Sequence, residues 1–369
     1  MIHARLLFFQ AVFLLFATPL FAQTLDDKIG QMLMVGFRGF TIEDGSAIAN
    51  DLAKRNLGGV ILFERDGALK THDRNIDGKR QLKKLTKALR KKAKTPLLIA
   101  IDQEGGKVRR LKKNRKFKEA LSHAQLGRID SERRTRREAR KLAKPLSKLG
   151  INLNFAPVVD VNLNPNNPII GKLDRSFSKD PAVVAKHARA FIEAHEKRKV
   201  ITAIKHFPGH GSAHNDSHHG MADVTGAWND IELTPYRELL RGDLQCTMVM
   251  TAHIFNAKLD DKWPATLSKK IIDGILRKQM DFDGVVVSDD MQMKAISGFF
   301  GLEESLERSI NAGVDIVMFG NNLGYDPEAM PKAVTIIKKL VRSGKISEKR
   351  IDQSYRRITA LKRRCGVRR

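Results

Sequence analysis

Lys205-His206-Phe207-Pro208-Gly209-His210-Gly211, followed after four residues by Asp216-Ser217-His218, concentrates more chemistry than any other stretch of the 369-residue chain. Asp216 and His218 are two residues apart, so the carboxylate can orient the imidazole and favour its protonated form. That pairing is suited to moving a proton. His206, His210, His214 and His218 also recur at spacing four, which on a helix would build a metal face. Pro208, Gly209 and Gly211 break any helix there, and no H-E-x-x-H pattern is present. Neither a metal nor a cofactor is expected.

Two further segments carry polar groups just after apolar runs. Gly284-Val285-Val286-Val287-Ser288-Asp289-Asp290-Met291 ends in adjacent carboxylates, which are costly to bury unless paired. In extended geometry successive side chains point to opposite sides, so only one of the two can face a common site. The other is free to cap a helix or bind backbone. Ala100-Ile101-Asp102-Gln103-Glu104-Gly105-Gly106 and the nearby Arg110 combine a strand-end carboxylate, a glycine turn and a cation. Such a set can bracket a hydroxyl-rich ligand, each of whose buried hydroxyls needs a partner.

Eight apolar runs must position these groups. They are Met32–Val35, Gly59–Phe63, Leu97–Ile101, Ile151–Ala156, Val200–Ile204, Thr247–Thr251, Gly284–Val287 and Val314–Phe319. Most are continuous rather than alternating, as in strands buried on both faces. Between them lie helical patterns such as Val184, Ala188 and Ile192, Ile271, Ile275 and Leu276, and Leu302, Leu306 and Ile310. This alternation predicts a single α/β domain, a (β/α)8 barrel of the TIM type. A doubly wound open sheet fits the same alternation, but no G-x-G-x-x-G follows the first strand. Asp102, Asp160, Lys205-His206, His253 and Ser288-Asp289-Asp290 would all converge on one mouth at the carboxyl ends of the barrel strands.

Taken together, these motifs resemble the family 3 glycoside hydrolases, specifically their single-domain β-N-acetylhexosaminidase branch. The resemblance runs from about Leu25 to about Lys345. Its most specific element is K-H-F-P-G-H-G with D-S-H four residues on. Supporting motifs are Asp102–Gly106, Ala156-Pro157-Val158-Val159-Asp160, Arg175-Ser176-Phe177, Met250-Thr251-Ala252-His253 and Ser288-Asp289-Asp290-Met291. The resemblance implies that Asp289 is the nucleophile, His218 the general acid/base and Asp216 its partner. It further implies that Asp102, Arg110, Arg175, Lys205 and His206 hold the terminal sugar of a GlcNAc-containing glycan, a peptidoglycan fragment or chito-oligosaccharide. Two alternatives stay open: phosphate in place of water as acceptor, and a non-catalytic barrel that binds cell-wall polymers. The basic stretch Leu111–Lys116 departs from the family pattern.

The ends and the charge set the remaining expectations. Arg5, the apolar run Leu6–Phe16, Pro19 and the small Ala22 read as a signal peptide over residues 1–22, with a retained membrane anchor as the competing reading. The mature domain would be residues 23–369, exported to the periplasm or beyond, and end in a helix (Ile351, Tyr355, Ile358, Leu361) and a basic tail. Cys246 and Cys365 are the only cysteines and are expected to be free thiols, Cys246 simply buried. The formal net charge of +26 is concentrated in 79–94, 107–118 and 128–148. Leu82, Leu85 and Leu89, and Ala139, Leu142 and Leu146, stand at helical spacing within it, so solvated helix faces are the simplest account. The functional alternative is attraction to an anionic surface such as a wall polymer, lipopolysaccharide or nucleic acid. No nucleic-acid motif is present.

Overall fold

Each of the eight apolar runs becomes a strand, and the strands close on one another. The computed structural model describes residues 23–242 and 244–369. The expected signal peptide, residues 1–22, lies outside the described residues. The strands are β1 (Leu33–Gly36), β2 (Gly59–Leu62), β3 (Leu98–Ile101), β4 (Leu153–Asn154), β5 (Ile201–Phe207), β6 (Thr247–Thr251), β7 (Val286–Asp290) and β8 (Ile316–Phe319). They pair in parallel in chain order, and β8 returns to β1 through Leu33↔Val317, Met34↔Met318 and Val35↔Phe319. The result is the expected (β/α)8 barrel. Strand interiors are buried on both faces, which is why the runs are continuous in apolar residues.

The surrounding helices follow their sequence stripes. Leu82, Leu85 and Leu89 of Lys79–Lys92 face inward, as do Ala139, Leu142 and Leu146 of Glu132–Lys148. Both helices turn their cations to solvent. Helix Pro181–Glu196 starts with Asp180 accepting the Ala182 N–H and Pro181 in the first turn, where a missing N–H costs nothing. Among the described residues no helix is long and apolar enough to cross a membrane.

Two strands run further than their apolar cores. β5 continues through Lys205, His206 and Phe207, and β7 begins later than expected but extends through Ser288, Asp289 and Asp290. Polar residues continue these strands because their neighbours supply partners. Lys205 meets carboxylates and His206 meets Asp160, so neither charge ends the strand.

At the chain's end the structure corrects the sequence reading. Cys246 and Cys365 are not free thiols; they form a disulfide with Cα atoms 5.6 Å apart. Cys365 does not sit in a loose tail. It follows the helix Glu348–Arg364, which buries Ile351, Ile358 and Leu361 against the amino-terminal end of the barrel. Lys362 on that helix is buried and donates to Gln31 Oε1 (2.7 Å) and to the Gly58 carbonyl (2.9 Å). Asp315, just before β8, accepts Arg350 and Ser354 from the same helix and Arg277 from the segment before β7. These contacts bring Cys365 to Cys246, the residue before β6.

The disulfide lies at the end of the barrel opposite the carboxyl ends of the strands. Replacing both cysteines by alanine is therefore expected to lower unfolding stability by about 2–4 kcal/mol, read as a reduced denaturant midpoint. Ligand affinity at the other end of the barrel should not change.

Candidate active site

The mouth formed by the carboxyl ends of the strands holds a cavity of about 330 Å3. Its wall includes Asp102, Arg110, Arg175, Lys205, His206, His218 and Asp289. Seven of the eight residues singled out in the sequence thus reach one cavity, and the eighth, Asp216, stands directly behind His218.

One side of the cavity is a buried ion network. Lys205, at the end of β5, donates to Asp102 Oδ1 (2.9 Å) and lies 2.8 Å from Glu104 Oε1. Glu104 receives a two-pronged bond from Arg175, both distances 2.8 Å, while the remaining Arg175 nitrogen donates to the Ile169 carbonyl. Arg110 donates to Asp102 Oδ2 (3.1 Å) and approaches Glu64 at 3.6 Å. Burial alone would push Asp102 up, but Lys205 and Arg110 outweigh it and hold the carboxyl below its usual range. Glu104 is likewise pulled low against burial, by Arg175 and Lys205. The network remains fully ionised at neutral pH, with fixed acceptors and donors at the cavity wall.

His206 adds a second fixed edge. Its Nδ1 pairs with Asp160 Oδ2 at 2.7 Å, and Asp160 Oδ1 also accepts the backbone N–H groups of His206 (3.1 Å) and His210 (2.8 Å). With Nδ1 occupied, Nε2 is left for the cavity side, 3.4 Å from Arg175. Asp160 was visible in the sequence only as a strand-end carboxylate. Its job is to fix the imidazole and the turn beyond it.

That turn leads to Asp216 and His218. Gly209 has φ +119°, and an added Cβ would meet the Glu232 side chain at 2.5 Å. Glu232 is fully buried and accepts from the Gly211 N–H (2.8 Å) and the Ser212 hydroxyl (2.6 Å). His210 is buried too, and its Nε2 lies 3.3 Å from Ser217 Oγ. Its burial pushes the ring down to about 4, so it stays neutral. These bonds lock both ends of the loop that presents Asp216 and His218. His214 is exposed and near Asn164, and His219 is 81% exposed at 3.7 Å from Asp216. Neither has the geometry of His218.

His218 Nδ1 is 2.7 Å from Asp216 Oδ1, which also accepts the His218 backbone N–H at 2.8 Å. One oxygen therefore fixes both ring and backbone, leaving Nε2 for the cavity. The ring is 43% exposed, open enough to exchange a proton with a ligand or water. Burial works to lower its pKa, but the Asp216 bond and the Asp289 charge overcome that and raise it. Asp216 is held at about 2; the His218 bonds outweigh the opposing effect of burial.

Asp289 and Asp290 both line the cavity, contrary to the expectation that only one would, but they differ in their partners. Asp290 accepts the Gly320 N–H at 2.8 Å and the Gln292 N–H at 3.0 Å. A Cβ at Gly320 would lie 2.3 Å from Asp290 Oδ2, so glycine is what lets β8 approach. Burial pushes Asp290 up to about 6. Asp289 is different. It accepts the Asp290 N–H at 2.8 Å and forms no ion pair among the described residues. Burial would raise its pKa, yet the charges of His253, His206 and His218 bring it below the usual range. His253 is held by Thr266 Oγ1 (2.8 Å) and the Asp290 carbonyl (3.0 Å). The cavity thus contains an ionised, uncommitted carboxylate and a protonatable imidazole, each within the other's field. Among the described residues no cluster of His, Cys, Asp and Glu has the geometry of a metal site.

Sequence reasoning missed the structural weight of Glu104 and Glu232. Glu104 lies in the motif with Asp102, and its position two residues on was the available signal. Glu232 had none: it lies in an ordinary Asn-Asp-Ile-Glu-Leu turn.

Known proteins are similar to this chain along nearly its whole length. A β-hexosaminidase A of Pseudoalteromonas piscicida is 32% identical over 376 residues, covering 92% of this chain and 61% of that protein. A β-hexosaminidase of Mycobacterium tuberculosis is 32% identical over 347 residues, 91% of this chain and 82% of that one. The solved structure of a glycoside hydrolase family 3 β-N-acetylglucosaminidase from Paenibacillus sp. FPU-7 superposes with a TM-score of 0.85 at 36% identity, over 94% of this chain and 63% of that one. The chain therefore spans under two thirds of the length of the first and third of these proteins. The description "Glycosyl hydrolase family 3 N terminal domain" matches residues 24–361. On that match, and on the relatives that share it, the chain belongs to glycosyl hydrolase family 3.

Proposed function

We propose that the protein is an exo-acting β-N-acetylglucosaminidase that removes a terminal β-linked GlcNAc by double displacement with retention. The observation that carries this is the Asp216–His218 pair facing the uncommitted carboxylate of Asp289 across one cavity. A retaining glycosidase needs a nucleophile at the anomeric carbon and a proton donor at the leaving oxygen.

In the first step an Asp289 oxygen attacks the anomeric carbon and forms a glycosyl ester. The bond to the leaving oxygen breaks, and His218 Nε2 gives that oxygen its proton. In the second step water attacks the same carbon, His218 Nε2 takes the water's proton, and the ester bond breaks to restore the Asp289 carboxylate. Histidine replaces the usual second carboxyl group here, and its neutral basic form adds no negative charge beside the ester. Asp290 is the weaker candidate for nucleophile, because its Oδ1 accepts two backbone N–H groups, those of Gly320 and Gln292, and burial pushes its pKa up to about 6. Asp102 offers acceptors to sugar hydroxyls, while Lys205 and Arg110 offer donors and His206 Nε2 stands beside them. Arg175 acts mainly through Glu104, since all of its nitrogens are already bonded.

Water as acceptor is supported by the charge balance of the wall. Arg110, Arg175 and Lys205 face Asp102, Glu104 and Glu64, so no uncompensated cation remains there to hold a phosphate. Export is supported by the leader-like residues 1–22 and by the Cys246–Cys365 disulfide, which suits an oxidising compartment. The names of the relatives, β-hexosaminidase and β-N-acetylglucosaminidase, support a GlcNAc-containing glycan as substrate; peptidoglycan fragments or chito-oligosaccharides are the sources of it that we propose.

Two outcomes check this reading. An aryl β-GlcNAc should be cleaved with a kcat/KM at least about 100-fold above that of the aryl β-glucoside, because a site that pairs with a polar substituent strongly rejects the analogue lacking it. The opposite preference contradicts the assignment. The pH profile supplies the second. Glycosylation needs Asp289 ionised and His218 protonated, so the acid limb of kcat/KM reports Asp289 and the alkaline limb His218. Asp216 raises the His218 pKa. Asp216→Asn should therefore move the alkaline limb to lower pH and reduce kcat by about 100-fold or more, leaving the acid limb in place. An unmoved alkaline limb would remove His218 from its role.

A further inference from the structure

On the outer wall of the barrel, away from the mouth, lies a second cavity of about 640 Å3. It runs along helix Glu132–Lys148 and reaches Lys79, the loop after β3 and Arg198. Its floor is apolar: Phe117 and Leu149 are buried and Pro145 is half-buried. Every other lining residue is a cation, and none is a carboxylate. Lys79, Lys118, Arg140, Lys144, Lys148 and Arg198 have no ion-pair partner among the described residues. Only Arg137 and Lys141 share a carboxylate, that of the buried Glu138. Helix Lys79–Lys92, which forms one bank, contains no acidic residue at all.

Such a surface is electrostatically unfavourable on its own. Six uncompensated cations around one groove repel one another, and helix propensity or core burial does not require them, since the inward stripes are apolar. An anion laid along the groove would relieve that repulsion and release the counterions gathered there. We propose that this groove binds a linear anionic glycan, a chain with carboxylate or phosphate groups spaced along it. The concave shape and the length of the cationic row suit an extended chain. The half-buried Pro145 and the aliphatic stems of the lysines and arginines suit the carbon faces of sugar rings.

Other polyanions fit less well. The large exposed hydrophobic residues are Leu69, Ile129, Leu163, Ile231, Phe299, Leu302 and Leu323, and none lines this groove. It therefore has nothing to insert into a lipid surface. Single-stranded nucleic acid needs exposed aromatic platforms for its bases. Phe117, the groove's only aromatic residue, is 5% exposed. The loop that carries Phe117 and Lys118 also carries Val108 and Arg110 of the mouth. The groove and the mouth thus share one loop. The inference does not rest on the hydrolase reading.

The test uses the full described chain, residues 23–369, and a fluorescent galacturonic acid oligomer followed by anisotropy. Saturable binding is expected at about 50 mM salt and should weaken steeply by about 200 mM. Neutral dextran of equal length should not bind. Arg140→Gln/Lys144→Gln/Lys148→Gln should weaken binding about tenfold or more, and so should Lys79→Gln/Lys118→Gln on the opposite bank. Cooperative melting at the parent temperature would show that each variant folds. No saturable binding, unchanged affinity in both folded variants, or tighter binding to phosphatidylglycerol vesicles or single-stranded DNA of equal charge would overturn the proposal.

Discussion

The arrangement of the mouth depends on one constraint: Lys205 is buried at the end of β5 and must be neutralised there. An unpaired ammonium in that position would be very costly, so Asp102 from β3's end and Glu104 just beyond it are drawn against it. Arg175 then completes the shell of Glu104, and Arg110 that of Asp102. Five charges, from the segment after β3, the segment after β4 and strand β5 itself, are thereby fixed to one another. Removing any one of them strands a buried partner. The stability contribution of such a network is small or even negative in net terms, but its geometry is unique. That uniqueness is what the proposed sugar site would require, since hydroxyl recognition tolerates little displacement of acceptors and donors.

The same logic of committed and uncommitted groups assigns the chemistry. Asp290 spends one oxygen on two backbone N–H groups, Asp160 one oxygen on backbone and the other on the His206 ring, Glu232 its oxygens on a loop, and Asp216 on one histidine. Asp289 alone among the cavity's carboxylates keeps no cation and only one backbone donor. Its ionisation is secured by imidazoles nearby rather than by a salt bridge that would hold it away from a substrate. His218 likewise has one nitrogen tied and one open. Reactivity here is located by what the scaffold leaves unpaired.

How far this could be read from sequence follows from distance along the chain. The strands were legible because burial on both faces writes a continuous apolar run, and helices because leucines recur at their period. Asp216 and His218 are two residues apart, so their pairing is a local property. Strand alternation alone did not separate Asp289 from Asp290, since both line the cavity and only their partners differ. Glu104 and Arg175 are 71 residues apart, His206 and Asp160 are 46 apart, and Glu232 reaches Ser212 across 20. Those pairings depend on barrel closure, not on local pattern. The cysteines failed for the same reason. They are 119 residues apart, and only the docking of the last helix under the barrel brings them together. The ends of β5 and β7 were misplaced because apolar character marks a strand's core, whereas paired polar residues can extend it.

The central claim is that Asp289 is the atom-donating nucleophile and Asp290 a structural ligand of the backbone. Incubation with a 5-fluoro N-acetylglucosaminyl fluoride, followed by proteolysis and mass spectrometry, tests it most directly. The account predicts one glycosyl ester per chain, carried by Asp289. An ester on Asp290, or turnover of the reagent with inverted product and no covalent adduct, would contradict it.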